Sequence, residues 1–457
     1  MKNIKILFLL ACSTSSLMGY SYLDKEDLPN DVVAFYTSDN KPPKTIFPAG
    51  VLDLTFGAGL GYVVQPLFSG TTLNEINDLI VDSKDRIIAV GEVNIGANSQ
   101  FALARYYADG TLDRGFGTNG LVHTNISVGN NSYIQSVVID AHNRILVGGT
   151  ADDDFAVSRY LEDGSLDPDF DHGIVFTVVG TNICTSIALD SEQRIILGGY
   201  TSNGNNFLVA RLLPDGGLDT ANFAPANGYL SINMGGTDYA YAVTVDSLDR
   251  IILAGSSTND IAVARVTPAG ILDTTFAGTG KYTHAPFAFG FSDAVYSVVI
   301  DGQGNILLGG SSNNLFLLVR LTSAGVLDTT FNASNGYKIY TFVGLRNLYE
   351  CHKIIIDPLG RIVMMGTQTH GGIAVFTIAR ALSNGTLDSS FGVNGVSYTT
   401  INGVDSIVFS GGIDQQGRLI LGGINNNEFF TLARYTTDYS LTYYKGQFAT
   451  QDLGFLA

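Results

Sequence analysis

Tryptophan is absent from this chain of 457 residues, and charged residues make up only 15% of it, against about 25% in an average globular protein. Lysine and arginine number 25 against 42 acidic residues, which gives a formal net charge of −17. Such an excess of acid opposes nucleic-acid binding, because phosphates are bound by clustered lysine and arginine. The chain is nevertheless 45% hydrophobic, so it has enough apolar area for a core and is not disordered.

Cysteine is also scarce, with Cys12, Cys184 and Cys351 as the only three. This count excludes a disulfide framework, and no Cys-x-x-Cys metal motif occurs. No apolar run approaches the roughly 20 residues that a membrane-spanning helix needs. HExxH, GxSxG and phosphate-loop motifs are missing as well, so the sequence names no catalytic residue and no cofactor.

The first 21 residues have the layout of a signal peptide. Residues 1–5 carry two lysines, residues 6–11 are apolar, and the chain stays uncharged until Asp24. We therefore predict cleavage near residue 21, an exposed linker over 22–44, and a secreted, periplasmic or cell-surface protein. Leu9-Leu10-Ala11-Cys12 resembles a lipobox, so lipid attachment at Cys12 is an alternative.

Three landmarks recur seven times along the chain, and a period of this length indicates a repeat architecture. The first is a Leu-Asp pair followed by Phe, with its aspartates at Asp53, Asp113, Asp167, Asp219, Asp273, Asp328 and Asp388. The second is an Asp four residues before an Arg or Asn that opens an apolar run, as in DSKDRIIAVG. The third is an apolar strand that ends in arginine, at Arg105, Arg159, Arg211, Arg265, Arg320, Arg380 and Arg434.

Each landmark is typical of β structure. In FALAR, Phe101, Leu103 and Arg105 share one strand face while two alanines share the other. The Asp-x-x-x-Arg stretch separates two apolar strands and predicts a hairpin turn whose Asp accepts turn amide hydrogens. We therefore predict an all-β fold, a seven-bladed β-propeller with about four antiparallel strands per blade over residues 45–442. Residues 443–457 are expected to form a closing strand or a tail.

The motif Asp109-Gly110-Thr111-Leu112-Asp113…Phe116-Gly117…Gly120, followed in each repeat by the hairpin and a FALARY-like strand, resembles the delta-60 repeat family of bacterial extracytoplasmic proteins. The resemblance covers about residues 45–442. It implies a β-propeller-like fold and no established reaction. Asn305 departs from the pattern in place of the fifth hairpin Arg, and Thr442 stands where an aspartate is expected after Arg434.

The segment Pro48–Asp53 matches Pro268–Asp273, an internal connection of the array. The chain thus enters its first repeat as it enters later ones, and we expect strands from the two ends to meet in one blade. Such closure pairs the strand edges that the two ends of the array would otherwise leave free.

The arginines that end the strands share a face with Phe and Leu, where an unpaired charge would be costly. We expect them to pair with the Leu-Asp or hairpin aspartates, bidentately where geometry allows. Their repetition in every blade indicates a structural role.

Two local patterns suggest chemistry without establishing it. Residues 167–173 alternate three carboxylates, which makes calcium a possible ligand, but His172 stands where an EF-hand needs glycine. His352 follows Cys351 directly, and neighbours in a strand point to opposite faces, so a catalytic Cys-His pair is disfavoured.

Recognition is expected in the variable loops, because the frame is repeated and they are not. The candidate segments are 92–100, 343–350 and 368–373, with Arg346 and Tyr349 as the candidate contacts. Our first hypothesis is a monomeric binding or structural module for a protein or glycan. The alternatives are a polysaccharide hydrolase or lyase with acidic residues at the central axis, and a lipid-anchored adhesin.

Overall fold

The computed structural model describes residues 6–8, 21–23, 49–65, 74–95, 98–126, 131–171, 173–174, 181–202, 205–225, 227–286, 292–333, 335–342, 349–425 and 429–438. Residues 1–48 and 49–457 form two separate units. In the first unit, β1 (Ile6–Phe8) pairs antiparallel with β2 (Ser21–Leu23).

The second unit is a seven-bladed β-propeller of four-stranded antiparallel sheets, which confirms the predicted fold. The first strands of the sheets are β4 (Asn74–Val81), β8 (Ser132–Ile139), β12 (Asn182–Leu189), β16 (Asp238–Val245), β20 (Asp293–Ile300), β24 (Tyr349–Ile356) and β28 (Ser406–Ile413). The second strands are β5 (Ile87–Ile95), β9 (Ile145–Ala151), β13 (Ile195–Thr201), β17 (Ile251–Ser257), β21 (Ile306–Ser312), β25 (Ile362–His370) and β29 (Leu419–Asn425).

The third strands carry the repeated arginines and are β6 (Asn98–Tyr106), β10 (Asp154–Tyr160), β14 (Phe207–Leu212), β18 (Asp260–Val266), β22 (Leu315–Leu321), β26 (Ile373–Ala381) and β30 (Phe430–Tyr435). The outermost strands are β7 (Leu121–Thr124), β11 (Gly173–Ile174), β15 (Tyr229–Ile232), β19 (Lys281–His284), β23 (Tyr337–Tyr340), β27 (Val396–Thr399) and β3 (Tyr62–Gln65). A short 3-10 turn spans Gly57–Gly59. Among the described residues, no helix has the length and apolar character to cross a membrane.

The core lies between the blades. A four-stranded sheet buries its apolar faces only against its neighbours, so each hydrophobic cluster combines two sheets. Val90 and Leu103 of the first blade, for example, pack with Ile134 and Val147 of the second.

The two ends of the array meet in the seventh blade, as the Pro48–Asp53 match predicts. Strand β3 pairs with β30 from Tyr62 opposite Ala433 to Gln65 opposite Phe430. The missing aspartate of Arg434 is Asp53, whose Oδ2 lies 2.9 Å from the arginine Nε. The last repeat therefore takes its outer strand and its aspartate from the beginning of the propeller.

Asp438, which follows β30 and which the sequence did not single out, links the seventh blade to the sixth. Its carboxylate accepts hydrogen bonds from Arg361 and from Arg380, whose Nη1 lies 2.7 Å from Oδ1. Burial raises the pKa of Asp438, but the hydrogen bonds from Arg361 and the charge of Arg380 outweigh it and lower the pKa to about 2.

The hairpins close as expected. Asp82 Oδ1 accepts hydrogen bonds from the backbone N–H groups of Lys84 and Arg86, and its Oδ2 lies 2.6 Å from Arg86 Nε. In the fifth blade Asn305 Nδ2 replaces the guanidinium at 2.9 Å from Asp301 Oδ2. The substitution preserves the hydrogen bond and removes the charge.

All seven strand arginines lie against the Leu-Asp aspartates, with Nε to Oδ2 distances of 2.7 to 2.9 Å. Each guanidinium also covers the ring of the repeated phenylalanine at 4.5 to 4.8 Å from its centroid. The pairs engage one carboxylate oxygen rather than two, because the other oxygen accepts a turn amide hydrogen, as Asp113 Oδ1 does from Gly115. The geometry therefore allows no pairing through both carboxylate oxygens, although Nε and Nη2 of Arg211 and of Arg380 both reach one Oδ2.

The same guanidinium joins neighbouring blades. Nη1 of Arg105 donates to the carbonyl of Glu162 in the second blade, and Nη1 of Arg434 donates to the carbonyl of Ala108 in the first. In the sixth blade Arg380 Nη1 donates instead to the carboxylate of Asp438. We call this unit of arginine, aspartate, phenylalanine and cross-blade acceptor the arginine clamp.

Replacing Arg211 with Met should destabilise the propeller by about 3–5 kcal/mol, because a buried aspartate loses its partner. Arg211 is 1% exposed and Asp219 is equally buried. Urea unfolding measures the loss, and Arg114→Met, at an exposed arginine outside the repeated positions, is the control. Equal stability of the two variants would contradict the clamp.

The fold should also lose stability in acid. The pKa values of all seven Leu-Asp carboxyls are lowered, since hydrogen bonds and the arginine charge outweigh the burial that raises them. A folded pKa below the unfolded value of about 3.9 gives stability that is present above that pH and lost as pH falls through the folded pKa. We expect the urea midpoint to fall between about pH 4 and pH 2.

Asp438→Asn should flatten the most acidic part of this dependence, because its pKa is the one near 2. A midpoint that does not change over this range in the native chain would contradict the account.

Candidate functional site

The two edges of the propeller differ in their chemistry. The first strand of each sheet runs into the Asp-x-x-x-Arg hairpin, as β4 runs into Asp82, and Arg105 of the third strand lies at the same edge, opposite Ile88. The arginine clamps and hairpins thus share one edge, which we call the frame edge. The opposite edge, where the first strands begin, carries the residues that vary between blades, and we call its centre the axial mouth.

Each first strand has a β-bulge at the residue five positions before the hairpin aspartate. These residues are Asn77, Gln135, Thr185, Tyr241, Tyr296, His352 and Phe409, and we call them the axial ring. A bulge re-aims the side chain of a strand. All seven are partly exposed although their strand neighbours are largely buried.

Contacts between blades place the axial ring around the central axis. Asn77 Nδ2 donates to the carbonyl of Ile134 in the next blade at 2.8 Å. Thr185 Oγ1 likewise donates to the carbonyl of Ala240 at 2.9 Å. The side chains therefore follow one another from blade to blade.

One half of the axial ring is aromatic. The ring centroids of Tyr241 and Tyr296 are 5.2 Å apart, those of Tyr296 and His352 5.5 Å, and those of His352 and Phe409 5.8 Å. Asn77, Gln135 and Thr185 fill the other half. The repeated frame thus carries an asymmetric centre.

Further tyrosines extend the aromatic half towards the axial mouth. Tyr200 stands edge-on to Tyr239, with centroids 4.9 Å apart, and Tyr239 lies nearly parallel to Tyr241 at 6.2 Å. Burial, then the neighbouring Tyr241 phenol, raise the pKa of Tyr200 to about 12. Tyr133 adds to this effect from the second blade. We call Tyr133, Tyr200, Tyr239, Tyr241 and Tyr296 the tyrosine arc.

A glutamate flanks each end of the tyrosine arc. Glu350 of the sixth blade lies beside Tyr296, whose pKa is raised to about 12 by burial and then by the Glu350 charge. Glu92 of the first blade similarly adds to the burial that raises the pKa of Tyr133. Burial raises the pKa of Glu92 itself, whereas the hydrogen bond from His352, at 3.3 Å, lowers that of Glu350.

Below the axial ring, Asp78 forms a polar floor. This buried carboxylate accepts hydrogen bonds from Ser136 Oγ, at 3.1 Å, from Ser410 Oγ and from two backbone N–H groups. Lys353 Nζ, from the sixth blade, lies 3.3 Å from the same carboxylate. Asp78 is thus fully engaged by the protein and is not placed to act as a free base.

Of the two predicted recognition residues, the structure describes only Tyr349. Arg346 lies outside the described residues, and Tyr349 is the first residue of β24. Both flanking glutamates fall inside the candidate segments 92–100 and 343–350, although neither was singled out. Cys12 also lies outside the described residues.

Cys351 and His352 point apart, as expected for strand neighbours. Cys351 is 0% exposed, and burial raises the pKa of its thiol to about 12, while His352 joins the axial ring. Within residues 167–173, Asp167 is held by Arg159 and by the N–H of Asp169. Among the described residues, no three His, Cys, Asp or Glu side chains are grouped closely enough to hold a metal ion.

Sequence reasoning missed the tyrosine arc, yet a signal for part of it exists. The position five residues before the hairpin aspartate reads Asn, Gln, Thr, Tyr, Tyr, His and Phe. It follows a column of apolar residues and precedes one that is Ser or Ala in five of the seven blades. A variable polar or aromatic column inside a repeated strand marks a surface that the frame does not use. Tyr200 could not be found this way, because its contact with Tyr239 depends on how two blades pack.

Comparison with solved structures gives distant likenesses. The chain is similar to virginiamycin B lyase from Staphylococcus aureus crystallised with quinupristin, at 10% identity and a TM-score of 0.48, covering 82% of this chain and 99% of that one. It is similar to Sqt1 from Chaetomium thermophilum bound to the N-terminus of ribosomal protein L10, at 10% identity and a TM-score of 0.46, covering 80% and 98%. A glucose dehydrogenase aligns at 12% identity and a TM-score of 0.40, covering 81% and 98%. These likenesses concern the fold alone.

The search of curated proteins gives no match. Six segments of the chain match the family model described as "Domain of unknown function (DUF5122) beta-propeller", namely residues 85–116, 143–170, 194–221, 249–276, 304–331 and 360–391. Each segment begins in a hairpin; five end at the repeated phenylalanine, and 194–221 ends two residues before Phe223. The seventh such unit is split between Arg418 and Phe56, from opposite ends of the array. The repeats of this chain thus match those of a β-propeller repeat family.

Proposed function

We propose that the protein is an extracytoplasmic binding module that takes a glycan at the axial mouth. The observation that carries the proposal is the asymmetry of the axial ring, because seven-fold repetition alone would place similar residues in every blade. Variation at a position that the frame does not need indicates recognition.

The chemistry of the mouth suits a sugar ligand. A pyranose ring has an apolar C–H face and a rim of hydroxyl groups, and the tyrosine arc offers both apolar ring faces and phenol groups. Asn77 and Gln135 supply amide groups from the polar half of the axial ring. Binding sites for small molecules combine an apolar lining with a few placed polar groups in this way.

A catalytic alternative, a polysaccharide hydrolase or lyase, is favoured by the contact between Glu350 and His352. A carboxylate that orients an imidazole at the axis is able to support proton transfer. The other axial carboxylate, Asp78, is engaged by serines and Lys353, so the two-carboxylate arrangement of glycoside hydrolysis would need a different second acid.

The extracytoplasmic location rests on the leader-like residues 1–21 and the lipobox-like segment before Cys12. Fractionation of cells that express the full chain tests it. Recovery of the protein only from the cytoplasm would contradict export, and fatty-acid labelling that Cys12→Ser abolishes would select the lipid-anchored form.

Titration calorimetry against a panel of oligosaccharides should show binding that Tyr239→Leu weakens about tenfold, the loss expected for one aromatic stacking contact. Tyr282→Leu is the matched control, since it removes a half-buried tyrosine of the same blade from the outermost strand. Equal loss in both variants, or binding by no oligosaccharide, would contradict the proposal. Cleavage of a bound oligosaccharide that His352→Gln abolishes would replace it with the catalytic alternative.

A further inference from the structure

We propose that the tyrosine arc and its flanking glutamates recognise an organic ammonium group on the ligand. The proposal rests on the proposed function in one respect, because it names the bound glycan as one with free amino groups. It is carried by the arrangement of aromatic rings and carboxylates at the axial mouth.

The rings form a contiguous aromatic cluster, and each of its rings is partly exposed. Tyr239 and Tyr241 lie within 21° of parallel, and Tyr200 stands at 89° to Tyr239 and at 72° to Tyr241. Tyr296 adjoins Tyr241 with its centroid at 5.2 Å. The ring faces that this packing leaves exposed are electron-rich, and a cation binds over such a face within about 6 Å of the ring centroid.

Negative charge completes the arrangement. The Glu350 charge reaches both Tyr241 and Tyr296, and in each case it adds to burial in raising the phenol pKa. Glu92 acts on Tyr133 in the same direction at the other end of the arc. Both carboxylates disfavour an anion at the rings and favour a cation.

The arginine clamp shows how this protein uses the same chemistry internally. In every blade a phenylalanine ring and an aspartate together hold a guanidinium, as Phe223 and Asp219 hold Arg211. At the axial mouth, no described arginine is recorded over a ring of the tyrosine arc. Across the described parts of the chain, each arginine recorded over an aromatic ring covers a clamp phenylalanine.

Among the described residues, the basic side chains of Lys353 and His352 lie near the arc. Lys353 is held by Asp78 on the floor of the axial ring, so its charge is compensated. His352 contacts both Tyr296 and Glu350, at 5.5 Å between ring centroids and 3.3 Å between Nε2 and Oε2. A ligand ammonium therefore shares Glu350 with an imidazole, and Glu92 lies outside this competition.

The experiment compares three oligosaccharides of equal length by calorimetry, at a pH below the pKa of the glycan amine. They are a glucosamine oligomer with free amines, its N-acetylated form, and a glucose oligomer. We expect the free-amine oligomer to bind at least about tenfold more tightly than the other two, since one desolvated cation–π contact is worth about 1–2 kcal/mol. Tetramethylammonium, which keeps its charge at every pH, should compete with it.

Glu350→Gln should reduce the preference for the free amine severalfold. Glu192→Gln, which removes an exposed carboxylate from a hairpin at the frame edge, should leave it unchanged. Tyr239→Phe should retain binding, because it keeps the ring and removes only the hydroxyl. Thermal unfolding of each variant shows whether it has folded.

Equal affinity for the three oligomers would overturn the ammonium proposal and leave glycan binding intact. Direct binding of tetramethylammonium, with no oligosaccharide bound, would overturn the proposal of a glycan ligand and support recognition of an ammonium group. Failure of every probe would overturn both.

Discussion

The fold depends on a buried guanidinium that makes three kinds of contact at once. In each blade the strand arginine donates to its own aspartate, covers its own phenylalanine and reaches an acceptor in the next blade. A buried charge is tolerated only when it is paired and hydrogen-bonded. Removing one partner leaves the other charge buried and unpaired. The clamp therefore accounts for the repeated residues at the frame edge, and it joins each blade to the next.

Because this clamp is repeated in every blade, much of the fold can be predicted from the sequence. In six blades the arginine and its aspartate are eight residues apart, so the pair recurs as a visible motif. The seventh pair joins residues 381 positions apart, and only the match between Pro48–Asp53 and Pro268–Asp273 pointed to it. Asp438 was not predicted, because its partners are two arginines of the preceding blade, and no local spacing in the sequence reveals these contacts.

The residues of the axial mouth, unlike those of the frame edge, differ from blade to blade. Repetition makes the frame edge uniform, whereas the bulge in each first strand presents a side chain that the frame leaves free to vary. Its column of varied residues can be seen in the sequence, but the gathering of Tyr200 and Tyr239 cannot, since it arises where two blades meet. Aromatic rings and carboxylates occur at both edges. At the frame edge an arginine of the protein is the cation that they hold, and at the axial mouth we propose that the cation is an ammonium group of the ligand.

The most direct test of this account is a double-mutant cycle on Arg434 and Asp53, read by urea unfolding of Arg434→Met, Asp53→Asn and the double variant. Residues in contact couple by about 0.5–3 kcal/mol, whereas independent sites add within about 0.3–0.5 kcal/mol. We predict a coupling of about 1 kcal/mol or more, equal to that of the local pair Arg211 and Asp219 measured in the same way. Additive effects at Arg434 and Asp53, beside clear coupling at Arg211 and Asp219, would contradict closure of the ring by the arginine clamp.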